Sequence, residues 1–188
     1  KNIIEFFPHI GNFAWIVPEN KNIARIGLSS YDKTNIILKE FLKEFNINEN
    51  QILDKQAGVI PIFDPKIKSQ KDNIFLVGDA AGQVKATTGG GIIQGLIAAK
   101  CLHDAIIYDN DYSNVWRQKI GKELLAHLIA RKIMNKFKFK DWNELVKLCN
   151  QKKIKKLLYE EERDNFISLA IKMVLKEPKF LKFAKFLI

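Results

Sequence analysis

Apolar and polar positions alternate with a period of two only near the start of the chain. Phe13 to Val17 and Ala24 to Leu28 predict two short strands. In the second, Ala24, Ile26 and Leu28 share one face and Arg25 and Gly27 the other. Glu19 to Asn22 is a polar turn and Pro18 fits a strand end, so the pair predicts an antiparallel hairpin. Phe13 and Trp15 lie on one face, and their spacing alone reads as core aromatics. The period then lengthens. Ile37, Leu38, Phe41, Leu42 and Phe45 form a helical stripe opposite Lys39, Glu40, Lys43 and Glu44, with Asp32 or Thr34 expected as the cap. Val59 to Phe63 predicts a short strand, placed at an edge or a strand end by Pro61.

The run Ile74 to Val77 has no polar position. It predicts a buried parallel strand, covered on both faces. Six of the ten glycines follow between Gly78 and Gly95, and Ile92 to Leu102 is helical and apolar almost all round. From Tyr112 the pattern is helical. Trp116, Ile120, Leu124, Leu125, Leu128 and Ile129 recur at helical spacing, and Asp141 with Glu144 reads as a capping box with Asp as the cap. Ile154 to Leu175 predicts one or two helices. Pro178 then opens a last short helix with Phe180, Phe183, Ala184 and Leu187 on one face, widened by Leu181 and Ile188. Lys179, Lys182 and Lys185 lie beside that face. It reads either as packed on the preceding helices or as an interfacial anchor.

A chain of 188 residues, 47% hydrophobic, is one domain or one and a half. No apolar run reaches about 18 residues, so no membrane-spanning helix is expected. No signal peptide is visible, and Cys101 and Cys149 suggest neither a disulfide framework nor a zinc site. The expectation is a reducing, cytoplasmic compartment and no metal. The net charge of +10 reads as a solvated lysine-rich surface or as attraction to anionic head groups or phosphate. Outside the C-terminal segment no basic stripe is interleaved with aromatics, so no nucleic-acid partner is expected.

The glycine stretch carries the chemistry. Asp79 follows Gly78 at the end of the apolar run. Its carboxylate reads either as an acceptor for a ligand hydroxyl, such as a ribose or ribitol, or as a helix or turn cap. Gly89, Gly90 and Gly91 add weight to the ligand reading. Three glycines entering a helix cost chain entropy unless something must approach the backbone closely. The bare N–H groups and the positive dipole end there suit an anionic or electron-rich group. The P-loop pattern is absent, because Lys85 follows Val84 and precedes Ala86. The first-turn dinucleotide fingerprint is absent too, because Gln94 stands where a third glycine is needed. His9, His103 and His127 read as structural or exposed, and no proton donor or other catalytic residue is apparent.

Gly78-Asp79-Ala80-Ala81-Gly82-Gln83-Val84-Lys85, followed by Thr87-Thr88-Gly89-Gly90-Gly91-Ile92, resembles the second flavin-binding motif of the p-hydroxybenzoate-hydroxylase-like flavoproteins. Within them it is most similar to the geranylgeranyl reductase family. Phe13-Ala14-Trp15-Ile16-Val17-Pro18 resembles that family's aromatic-x-Trp-x-x-Pro segment, and Tyr112, Trp116 and Gly121 to Leu124 resemble its next helix. Ala86 departs from the family's usual proline. The resemblance covers roughly residues 10 to 130 and implies an α/β fold, α+β within this stretch, corresponding to the C-terminal half of the FAD-binding fold. Residues 1–70 would belong to the substrate domain, 71–110 to the second FAD motif and 111–188 to a helical region.

By the same resemblance Asp79 would meet the ribitol of FAD. Gly91 and Ile92 would face the flavin pyrimidine edge, with Gly78, Gly89 and Gly90 beside them. Phe13, Trp15 and Pro18 would line a tunnel for an isoprenoid lipid whose carbon–carbon double bonds are reduced. The resemblance further implies an electron donor such as NAD(P)H or ferredoxin, and leaves room for peripheral contact with an anionic membrane. The alternatives are another flavoprotein of the superfamily, such as an electron-transfer dehydrogenase or halogenase, and a basic membrane-binding module without catalysis.

Overall fold

The structure is a computed structural model and describes residues 3–162 and 164–187. It is mixed α and β, with small antiparallel sheets followed by helices. Two compact units divide it: Lys1–Ala57 with Phe137–Val146, and Gly58–Lys136 with Lys147–Ile188.

In the first unit, β1 (Glu5–Phe7), β2 (Phe13–Pro18) and β3 (Ala24–Ser29) form one antiparallel sheet in that order. The hairpin lies where the alternation predicts it. Its turn is fastened by Asn20, whose side-chain oxygen accepts from the backbone of Asn22 and Ile23. Strand β1 is an addition to the expected hairpin. Phe7 pairs with Ala14, and Phe6 with Trp15, which pairs in turn with Gly27. The two faces differ. On one, Ala14 is fully buried, and Phe7 packs edge-on against Phe41 and Phe45 of α1 (Thr34–Glu44) at ring separations of 5.1 and 5.8 Å. The other carries Phe6, Phe13 and Trp15. Neither Asp32 nor Thr34 caps α1; Lys33 holds that place in a left-handed conformation with no side-chain cap.

Helix α5 (Phe139–Cys149) begins in this unit. Asp141 is not its cap but its third residue: the Lys138 N–H donates to Asp141 Oδ2 at 3.0 Å. Asp141 is thus the acidic half of a capping box rather than its start.

In the second unit, Val59 to Phe63 forms no strand. Pro61 lacks a donor, and Val59, Ile60 and Ile62 stay exposed, while Phe63 turns into the core against Trp116. The apolar run at 74–77 pairs over only two residues. β5 (Ile74–Phe75) lies antiparallel to β4 (Gln70–Lys71), and Leu76 adds one more bond to the Ser69 carbonyl at 2.9 Å. No parallel neighbour is present among the described residues, so Ile74 is exposed and the run sinks inward only towards Val77.

After a tight turn at Gly78–Ala81 comes α2 (Ile92–Ile107). Its inner face, Ala98, Cys101 and Ala105, packs on Tyr112 and Trp116 of α3 (Tyr112–Trp116). Its outer face is not covered: Ile92 is 82% and Leu96 63% exposed. A single wide turn of π type, Arg117–Gly121, joins α3 to α4 (Lys122–Met134).

The stretch expected to hold one or two helices at 154–175 forms two, α6 (Lys152–Glu160) and α7 (Phe166–Lys176). Pro178–Leu187 is a 3₁₀ segment, not an α-helix, with Phe180 and Phe183 buried and Leu181 and Leu187 exposed. Ile188 lies outside the described residues. None of the described helices is long and apolar enough to cross a membrane.

Candidate functional site: the glycine turn and the start of α2

Gly78 to Gly95 folds so that backbone meets backbone. Gly78 and Gly95 face each other, and a Cβ on Gly95 would lie 3.3 Å from the Gly78 Cα. This contact sets the end of the apolar run flush against α2. Gly78 has a φ of +67°, a conformation that favours glycine.

The turn is pinned from below by a buried polar chain. The Gly78 N–H donates to Gln83 Oε1 at 2.7 Å, and Gln83 Nε2 donates to Tyr112 Oη at 3.0 Å. Tyr112 Oη donates onward to the Leu76 carbonyl at 3.0 Å. Burial pushes the Tyr112 hydroxyl above its ordinary range, so it stays a donor at neutral pH. Trp116 Nε1 donates to Ser69 Oγ at 2.7 Å, tying α3 to the residue before β4. Sequence reasoning placed Tyr112 and Trp116 in the helical pattern and in the family resemblance, and missed Gln83 as a partner. A polar residue among the apolar positions 81 to 84 was the available signal.

Of the expected cofactor-binding residues, Gly78, Asp79, Gly91 and Ile92 come together at the N-terminus of α2. A Cβ on Gly91 would lie 2.7 Å from Asp79 Oδ1 and 3.2 Å from Val84 Cγ2, so the carboxylate rests against the bare backbone. Asp79 is exposed, and no side chain caps α2, whose N-cap residue is Gly91. A carboxylate beside a helix N-terminus that forms no cap there remains able to accept from a ligand hydroxyl. Gly89 and Gly90 have other neighbours. Gly89, at a φ of +71°, faces the Ile60 side chain, and Gly90 faces Lys85 and Thr88.

Behind this loop stands a second group that the sequence did not single out. Arg131 of α4 donates to the carbonyls of Ala86 (3.1 Å) and Thr87. His127 Nδ1 and Thr87 Oγ1 are 2.7 Å apart. Lys85 Nζ meets Asp164 Oδ1 at 2.7 Å. Burial first, and the nearby Lys85 ammonium second, push the His127 imidazole down to about 4, against the weaker pull of Asp164. His127 is therefore neutral at physiological pH.

The residues expected to meet a substrate, Phe13, Trp15 and Pro18, belong to the first unit. Phe13 lies 5.8 Å from Trp15 and 5.5 Å from Phe6, which sequence reasoning missed because β1 is only three residues long. Trp15 lies flat on Gly27, where a Cβ would come within 2.4 Å of its ring. Pro18 closes β2 opposite Ala24 and is half-buried. The three rings form one aromatic strip on the sheet face away from α1.

The chain is homologous to a group of reductases. They are digeranylgeranylglycerophospholipid reductases: that of Methanococcus aeolicus is 30% identical over 98% of this chain, and one named reductase 2 of Methanopyrus kandleri is 29% identical over 97%. That of Methanocaldococcus jannaschii is 28% identical over 98%. The chain spans about half the length of these curated relatives, 50% of the first two and 51% of the third. No protein-family profile matches the chain, and no solved structure matches it.

Proposed function

We propose that this chain forms part of an FAD-dependent reductase that saturates carbon–carbon double bonds in the geranylgeranyl chains of isoprenoid lipids, and that it corresponds to the C-terminal half of that enzyme. One observation carries the cofactor reading: an exposed carboxylate, Asp79, laid against a glycine at the uncapped N-terminus of a 16-residue helix. The residues fit the isoalloxazine and ribityl part of a flavin. Asp79 would accept from a ribityl hydroxyl. The backbone from Gly91 into the first turn of α2 would face the pyrimidine edge, where the helix dipole offsets negative charge by about 0.3–2 kcal/mol. When bound, FAD supplies a hydride to the double bond, with electrons from a donor such as NAD(P)H or ferredoxin. The names of the homologous reductases support the substrate class. The strip of Phe6, Phe13 and Trp15 would bind the apolar chain, with Pro18 at its edge.

Peripheral contact with an anionic membrane is part of the same reading. Leu181 and Leu187 are exposed on the C-terminal segment that bears Lys179, Lys182 and Lys185. Phe180 and Phe183 are already used in packing, so apolar insertion would rest on the leucines.

In the full-length polypeptide the protein should purify with flavin absorbance, and Asp79→Ala should weaken retention by about 1.5–3 kcal/mol. The isolated 188-residue chain should not retain FAD. A colourless full-length protein, or tight stoichiometric binding by the isolated chain, would count against the reading.

A further inference from the structure

The loop from Lys85 to Gly91 is held by side chains of α4 and by Asp164, just before α7. Arg131 and His127 lie four residues apart on α4, on the stripe continued by Leu124 and Ile120. The Arg131 guanidinium spans two successive carbonyls, those of Ala86 and Thr87. Its planar fork suits that pair, where a lysine ammonium would offer a point charge without the fixed fork geometry. In a trans peptide the N–H points away from the C=O, so the amides of Thr87 and Thr88 are turned from α4; the Thr88 and Gly89 N–H groups donate within the loop to the Lys85 carbonyl at 3.2 and 2.9 Å. Thr87 is held twice, through its carbonyl by Arg131 and through its hydroxyl by His127.

The third tie comes from α7's approach. Lys85 runs back across Gly90 to reach Asp164; a Cβ on Gly90 would lie 3.3 Å from Lys85 Cε. The Lys85 side chain thus passes close over Gly90, beside Thr88 Oγ1. Next to Asp164, Phe166 stacks on the His127 ring at 4.3 Å, and Gln94 Nε2 lies 3.5 Å from Asp164 Oδ1.

The arrangement is costly. Gln94 is 3% and His127 4% exposed, yet among the described residues Gln94 Oε1 and His127 Nε2 have no hydrogen-bond partner. Buried polar atoms left unpaired carry a desolvation cost that apolar residues of similar size would avoid. Such a cluster is expected where position matters more than stability.

We propose that Arg131, His127 and the Lys85–Asp164 pair are positioning residues that clamp the Lys85–Gly91 loop in the conformation that presents its backbone to a bound flavin. Cofactor retention is then controlled from α4 and the start of α7, two elements that supply no contact to the cofactor themselves. The clamp rests on the flavin reading for its purpose, but not for its existence.

The test uses the full-length polypeptide, first stripped of flavin. Hydrogen exchange of residues 85–91 is compared with that of the buried face of α2, Ala98 to Ala105. Arg131→Met should speed exchange in the loop by about tenfold while leaving α2 unchanged, and should weaken FAD binding, read by flavin fluorescence, by about tenfold as well. His127→Leu should act in the same direction, and His127→Asn, which keeps a polar atom near Thr87, should restore most of the loss. Asp164→Asn removes a partly exposed charge without emptying the core, so it reports on the clamp even if Arg131→Met fails to fold. Unchanged loop exchange in Asp164→Asn and both His127 variants overturns the proposal. So does faster exchange throughout the unit, which would mark a purely structural role, or a loosened loop with undiminished FAD affinity. A wild-type protein that takes up no FAD sinks the flavin reading and the purpose of the clamp together, and loop exchange still decides whether the clamp exists.

Discussion

At Gly27 an added methyl group would land 2.4 Å from Trp15 Cζ2; at Gly91 it would land 2.7 Å from Asp79 Oδ1. The distances are nearly equal and their consequences are opposite. Trp15 is a rigid indole held in the sheet between Phe6 and Gly27, and it has nowhere simple to go. Asp79 ends in an exposed carboxylate that can swing aside. The missing side chain at Gly27 is space already filled by the protein. The missing side chain at Gly91 keeps backbone bare and a carboxylate in place beside it. A glycine therefore says that something comes close, and only its neighbour says whether that something is the protein itself or a ligand.

The contrast can be tested from both sides. The largest effect is expected in acid and belongs to the unit with the glycine turn. The folded His127 titrates at about 4, below the ordinary value of about 6.5. Between those values the unfolded chain holds a proton that the folded chain does not. Stability is full above about pH 6.5 and falls as the pH drops towards 4, by up to about 3 kcal/mol. Urea unfolding at several pH values should show that slope, and His127→Asn should flatten it. A slope indifferent to the variant would mean that other groups govern the acid response.

Next, Gly27→Ala should destabilise the hairpin unit by about 2 kcal/mol through overpacking and shift the Trp15 environment. Denaturant melts followed by tryptophan fluorescence would read both, and an unchanged melt would show that the indole yields easily.

Gly91→Ala should do the reverse. Its effect on stability should stay within about 0.5 kcal/mol. In the full-length polypeptide FAD affinity should fall about tenfold, or about 1.4 kcal/mol, because Asp79 is displaced. Loss of stability with intact affinity would erase the contrast.

The smallest effect is at the C-terminal segment. Replacing Lys179 with Ala should weaken co-sedimentation with anionic vesicles by about 1 kcal/mol, and less at high salt. Binding that ignores both the substitution and the salt would remove the membrane contact.

How far the sequence foretold all this depended on the length of each pattern. The hairpin was legible because an apolar run, Phe13–Val17, and an alternating one, Ala24–Leu28, flank a polar turn. Strand β1 was not, since Glu5-Phe6-Phe7 is too short to show a period, and so Phe6 escaped notice. Val59 to Phe63 has the composition of a strand, but pairing needs a partner as well as a pattern, and Pro61 removes a donor. Asp141 was read one turn too early because an acid can serve at either end of a capping box. At the glycine turn, residue types alone brought Gly78, Asp79 and Gly91 forward. Gln83 bonding Tyr112, and Arg131 bonding Ala86, could not be read, because contacts between residues 29 and 45 positions apart leave no spacing behind.

The π turn at Arg117–Gly121 has a consequence for how this chain tolerates insertions and deletions. One extra residue in a helical turn rotates everything after it by about 100°. Tyr112 and Trp116, before the turn, face α2 and the Ser69–Phe75 segment; His127 and Arg131, after it, face the Thr87 loop. Loss of a single residue from 117–121 would leave every remaining side chain chemically intact and still swing Arg131 off the carbonyls it holds. The number of residues at this turn therefore matters to the position of Arg131 as much as their identity.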